Sequence, residues 1–142
     1  SVFDASFIAR HGLDRPLPAD LLQGQQQEIE VGHCGKMPAA MLPGMVRVQI
    51  ARDMQLAQTA AAAVQSGKVV LLVTGVAHAQ RSLGVPRHLP KNLVSKIALA
   101  QAGQALEAIE KEADWIHHTP ALPDKDDCAP LRQRGLPPPP AS

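Results

Sequence analysis

Aromatic side chains are nearly missing from this sequence: Phe3, Phe7 and Trp115 are the only three, and tyrosine is absent. A large flat ligand would therefore be held by aliphatic, histidine or arginine contacts rather than by aromatic stacking. No excess of either charge is present, with 14 basic against 13 acidic residues and a formal net charge of +1. Without a basic run there is no footprint for a phosphate backbone, which removes nucleic acid as an expected partner. Nor does any segment approach the ~18 consecutive apolar residues of a membrane span. The chain opens Ser1-Val2-Phe3-Asp4, with no methionine, charged n-region or lipidation box, so no signal peptide is read and localisation is not legible. An opening of this kind is expected of a processed product, a trimmed chain or a fragment. Cysteine is scarce too: Cys34 and Cys128 permit one disulfide and fit two buried thiols equally well.

What is present is organised around residues 68–89. Val69-Val70-Leu71-Leu72-Val73 is too short for an ordinary helix and rich in β-branched residues, so Lys68 to Thr74 is expected as a strand buried on both faces of a parallel sheet. Gly75 ends the strand and frees the backbone to turn. His78 and Arg81 then follow in a loop closed by the rigid Gly84-Val85-Pro86 turn. Ligands of open α/β sheets sit beyond the carboxyl ends of the strands, which makes this loop the first candidate site.

Upstream, residues 1–18 contain Gly12, Pro16 and Pro18 and read as an N-terminal arm. A helix is expected from Ala19 to about Val31, with Pro18 at its first turn and Leu22, Gln26 and Ile29 on its inner face. Gly32-His33-Cys34-Gly35 interrupts it. The longest helix, about Pro43 to Gln65, carries an apolar stripe of Val46, Ile50, Met54, Ala57, Ala61 and Val64, and Ser66-Gly67 closes it. Met41, Met45 and Met54 follow that helix's spacing and read as core.

Downstream, Leu93 to Ala100 is expected as a second strand, Gln101 to Glu112 as a helix and Ala113 to His118 as a third strand, a βαβ pattern with parallel strands. His117 and His118 are consecutive on that strand and point to opposite faces. Asp124 to Asp127 is a solvated charge run, and residues 132–142 form a Pro-rich tail with no core to join. The expected architecture is therefore α/β: a partial, mostly parallel three-stranded sheet with flanking helices over residues 19–131. So thin a sheet is expected as the C-terminal part of a larger fold.

Four stretches in succession resemble the ChaN family of haem-binding uptake lipoproteins, which is grouped with the Tiki and erythromycin-esterase-like proteins. His33-Cys34-Gly35 and the helix from Met45 to Met54 look like that family's HCG motif and its QxxRDxxMA helix. Residues 69–86 are similar to its strand and GNGHxRxxxGVP loop, with Gly75-Val76-Ala77 standing in place of the Gly-Asn-Gly. Residues 114–120 look like its DyvwfTP strand, and Asp127-Cys128-Ala129 like its DPCA segment. The order and spacing match from about Gly32 to Leu131.

The resemblance implies an α/β domain of the bacterial cell envelope, periplasmic or on an outer-membrane lipid anchor, that binds haem or a related tetrapyrrole in iron uptake, with a homodimer as a further expectation. It also implies iron ligation through tyrosine, and this chain has none. The expected cofactor-binding residues are His78, Arg81, His33 and Arg52. His78 is an axial iron ligand, a propionate anchor or an acid/base group, since a neutral imidazole serves all three. His33 beside Cys34 would complete the pocket wall. Arg52 lies on a helix face about 100° from Asp53 and would pair with a ligand carboxylate. Two other classes of function stay open: a hydrolase like the erythromycin esterases using His33 and His78, and a degenerate relative that only folds. Neither a GxSxG elbow nor a carboxylate pair is present for the first.

Overall fold

A computed structural model describes residues 4–103, 107–123, 126 and 128–130. It divides into two units, residues 1–51 with 124–142, and residues 52–123. The Pro-rich 132–142 tail and residues 124, 125 and 127 of the charge run lie outside the described residues.

In the first unit, α1 (Ala5–Arg10) begins at Asp4, whose side chain accepts the Phe7 N–H at 2.7 Å and the Ser6 hydroxyl at 2.7 Å. Phe7 and Leu13 are buried, so the segment expected as an arm joins the interior of this unit. The Leu13 carbonyl also accepts a hydrogen bond from the Arg47 guanidinium. Helix α2 (Ala19–Gly32) starts where the sequence places it, after Pro18. Its inner face is Leu21, Gln25 and Ile29, however, one residue round from the expected Leu22 and Gln26. Spacing by four from Ile29 picks out that row, and Gln25 is carried inside because it stands between two buried aliphatics.

Helix α2 closes in a Schellman motif: the Gly35 N–H reaches the Glu30 carbonyl at 2.8 Å and the Cys34 N–H reaches that of Val31 at 3.0 Å. This geometry puts Cys34 at φ +56, the left-handed region that costs an ordinary residue about 1–2 kcal/mol. What holds a non-glycine residue there is covalent. Cys34 is bonded to Cys128 with Cα atoms 5.8 Å apart, which decides between the two readings of the cysteines in favour of the disulfide.

Helix α3 (Leu42–Ala62) follows the expected apolar stripe, with Val46, Ile50 and Ala57 fully buried. It ends three residues earlier than expected, leaving Val64 46% exposed. In the second unit Gly67 adopts φ +71 and turns the chain into residues 68–75. Here the sequence expectation is overturned. Residues 68–74 form no ladder, and Val69, Leu71 and Val73 are 95%, 85% and 83% exposed rather than buried on both faces. The two strands of the described residues pair with each other, and residues 68–74 join neither of their outer edges.

Those strands are β1 (Ala98–Ala102) and β2 (Trp115–Thr119), parallel and in register from Ala98 opposite Trp115 to Ala102 opposite Thr119. Between them stands the single turn α5 (Glu107–Glu110). The βαβ order and the α/β class are as the sequence indicates, but the sheet has two strands and not three. Strand β1 starts five residues later than expected because the Ile97 N–H is taken by the Asp114 carboxylate at 2.8 Å, while the Ile97 carbonyl accepts from Asp114 and Trp115. No helix among the described residues is long and apolar enough to cross a membrane.

The disulfide closes a loop with a sequence separation of 94. Replacing both cysteines by serine is expected to cost about 2–5 kcal/mol, measured by urea unfolding. Equal midpoints for the two proteins would show that the link contributes nothing.

Candidate functional site

The second unit carries a carboxyl group where a helix interior should be apolar. Asp53, in the buried row of α3, is 1% exposed. An unpartnered carboxylate at such a position would be strongly destabilising. Its Oδ1 accepts a hydrogen bond from His78 Nδ1 at 2.6 Å. His78 sits in the one-turn helix α4 (Val76–Ala79), which starts at Gly75 and whose His78 N–H donates to the Gly75 carbonyl at 3.1 Å. Since a carboxylate only accepts, the imidazole carries a hydrogen on Nδ1, and the tautomer that fits this bond has its lone pair on Nε2. Nε2 makes no hydrogen bond among the described residues, and the ring is 26% exposed.

The backbone of His78 is held as closely as its ring. A Cβ at Gly84 would lie 2.2 Å from the His78 carbonyl oxygen and 2.5 Å from its carbon, so only glycine fits against this peptide. The Gly84 N–H closes the turn onto the Gln80 carbonyl at 2.8 Å. A 3-10 turn, Val85–His88, follows, with Val85 buried. In that turn His88 has a buried Nε2 without a partner, and burial, then the neighbouring Arg87 charge, hold its imidazole below the usual range.

Two carboxylates tie the segment after His78 to the βαβ part of the unit. Glu112 accepts from the Ser82 N–H at 3.0 Å and from the Ser82 hydroxyl at 2.6 Å. Asp114 accepts from Arg81 Nη2 at 2.6 Å, from Lys96 Nζ at 2.9 Å and from the Ile97 N–H at 2.8 Å. The Ile97 N–H first, then Lys96 and Arg81, hold the Asp114 carboxyl at about 2. Charge-assisted bonds of this kind are about twice as strong as neutral ones.

The sequence-expected residues thus fall into different settings. His78 meets Asp53. Arg81 is engaged by Asp114 yet 46% exposed. Arg52 is on the exposed side of α3, and it is its neighbour Asp53 that turns inward. His33 lies in the other unit, where its Nδ1 donates to the Ile29 carbonyl at 2.8 Å and caps α2. His117 and His118 are both exposed. Among the described residues no group of three or more His, Cys, Asp or Glu side chains is placed to hold a metal ion. Asp53 was the residue that sequence reasoning passed over. Its signal was the pairing of a charge with a buried helix register, one turn below Ala57 and three residues after Ile50.

Two outcomes follow from this geometry. Gly84→Ala should destabilise the protein by about 1–3 kcal/mol through overpacking and shift the His78 ring resonances in NMR spectra; unchanged resonances would remove the close-approach argument. Asp114 has a lowered folded value, so its stabilisation is complete above its ordinary 3.8 and is lost as pH falls through about 2. The single tryptophan, Trp115, lies with its ring centroid 6.0 Å from Lys96 Nζ and reports the change. Its emission should shift over that interval in the wild type and stay flat in Asp114→Asn, whereas identical titrations would refute the clamp.

No curated protein and no solved structure matches this chain. A family match does exist: residues 7–89 fit the family described as haem-binding uptake, Tiki superfamily, ChaN. It takes in the later part of α1, all of α2 and α3, the His78 turn and the Gly84 approach. With more than half of its length inside that match, the chain belongs to the ChaN family of haem-binding uptake proteins.

Proposed function

We propose that this protein binds haem, or a related tetrapyrrole, with His78 Nε2 as the ligand of the iron. The observation that carries this reading is the 2.6 Å hydrogen bond from His78 Nδ1 to buried Asp53, which leaves Nε2 as the ring nitrogen open to a ligand. Metal-bound histidines characteristically give their other ring N–H to a carboxylate in this way. The family's tyrosine ligand has no counterpart in a chain without tyrosine, so imidazole supplies the donor. Bound haem would supply a ferric or ferrous centre and a wide apolar face.

Other side chains of the same unit support this reading. Val69, Leu71, Val73 and Val76 are exposed apolar side chains just before His78, the type of surface a porphyrin ring needs against it. Arg52 and Arg81 are exposed cations suited to the two propionates, Arg81 through the donors that Asp114 leaves. The Cys34–Cys128 disulfide fits an oxidising compartment, which supports a role in iron uptake at the bacterial cell envelope, periplasmic or on an outer-membrane lipid anchor. A carboxylate-backed imidazole is also how general bases are held, so the hydrolase reading survives through the same pair.

Hemin titration separates the two. Wild-type protein should shift the Soret band with saturation, and His78→Ala should bind at least about tenfold more weakly, a loss in the range expected for an altered metal site, while retaining its circular dichroism. No Soret change, or an identical one in the variant, would eliminate the haem reading. Turnover of ester or lactone substrates lost in the same variant would establish the hydrolase in its place.

A further inference from the structure

Asp53 does more at this site than satisfy a ring nitrogen. A buried carboxylate that accepts the Nδ1–H of a ligating imidazole at 2.6 Å has two separable effects. The first is geometric: it fixes the tautomer and the ring orientation, so that Nε2 is the donor atom. The second is electronic. Negative charge on the far side of the ring strengthens Nε2 as a donor, and a stronger donor favours the more highly charged iron. At a surface the second effect would be screened, but Asp53 is 1% exposed and its field acts in a medium of low polarisability. The ring, 26% exposed, is the only part of the pair open to a ligand.

The other carboxylates described near His78 have partners of their own. Arg81, Lys96 and Asp114 are engaged with one another, and Glu112 with Ser82. The backbone side is held too: the His78 N–H donates to the Gly75 carbonyl at 3.1 Å, and Gly84 lies so close to the His78 peptide that a Cβ there would clash with it. The imidazole is thus set from two directions before any ligand arrives, and its orientation is not something that binding must create.

We infer that Asp53 is a positioning residue that presets His78 in the Nδ1–H tautomer and biases the bound iron towards the ferric state. This rests on the reading of His78 as the iron ligand. The selected ligand class is ferric haem rather than ferrous haem, the form expected in the oxidising compartment that the disulfide indicates.

The test has an arm that needs no haem. Long-range proton–nitrogen NMR of the ring nitrogens in the wild-type protein alone should show His78 protonated at Nδ1; protonation at Nε2 would overturn the inference whatever the variants do. With hemin bound, spectroelectrochemical titration should place the reduction potential of Asp53→Asn above that of the wild type, because the amide oxygen still accepts the Nδ1–H but carries no charge. Asp53→Ala, which loses orientation as well, should bind hemin about 10- to 100-fold more weakly. If wild type binds hemin through His78 and Asp53→Asn has an unchanged or lower potential, the electronic role of Asp53 fails alone. If wild type binds no hemin, the ligand reading fails and this inference with it.

Discussion

A hydrogen bond between a carboxylate inside a helix and an imidazole 25 residues later in the chain is what the second unit is built to keep. Asp53 occupies a position that the helix pattern reserves for an apolar side chain, where an unpaired charge would be heavily penalised. Any arrangement of residues 68–90 that moved His78 away would cost this buried carboxylate a hydrogen bond. The one-turn helix α4, the glycine packed on its last peptide bonds and the turn that follows all make sense as ways of delivering one ring to one oxygen. Burial of Asp53 also strengthens the bond, because water does not reach the carboxylate to compete for it.

Beyond that pair, the segment is held by carboxylates rather than by a sheet. Glu112 engages Ser82 through both its oxygens, and Asp114 gathers Arg81, Lys96 and the Ile97 N–H at the mouth of β1 and β2. One consequence is that Arg81 reads differently in sequence and in structure: a cation beyond a strand end suggests a ligand anchor, and here its nearest anion is internal. The first unit uses another kind of restraint. Its Schellman turn forces a non-glycine residue into the left-handed region, and the bond to Cys128 keeps it there.

Much of this was legible in the residues. Helix α3 announces itself through Val46, Ile50 and Ala57, and Pro18 marks the start of α2. The parallel βαβ pairing of the later strands also follows from pattern alone, as does the α/β class. Residues 69–73 misled for a definite reason: five aliphatics in a row report apolar character, but a strand also needs ladder bonds to a neighbour, and this segment makes none. The start of β1 was displaced because a side chain, Asp114, took the backbone donor that a ladder would have used. His78 was identified by its place beyond an apolar run, while Asp53 was hidden by its neighbour. In an Arg-Asp pair on a helix the arginine attracts the ligand hypothesis, and only the register relative to Ile50 and Ala57 shows that the aspartate is the one that turns inward.

Under the proposal that this chain binds haem, the iron donor is the imidazole backed by Asp53, and these 142 residues contain no tyrosine to compete with it. The most direct measurement is resonance Raman spectroscopy of the reduced, haem-loaded protein with and without nitrogen-15 in its histidine rings. An iron–imidazole stretching band that moves with the label and vanishes in His78→Ala is the expected result. A haem-loaded protein whose spectrum has no label-sensitive iron–nitrogen band would contradict the assignment of His78 as the ligand.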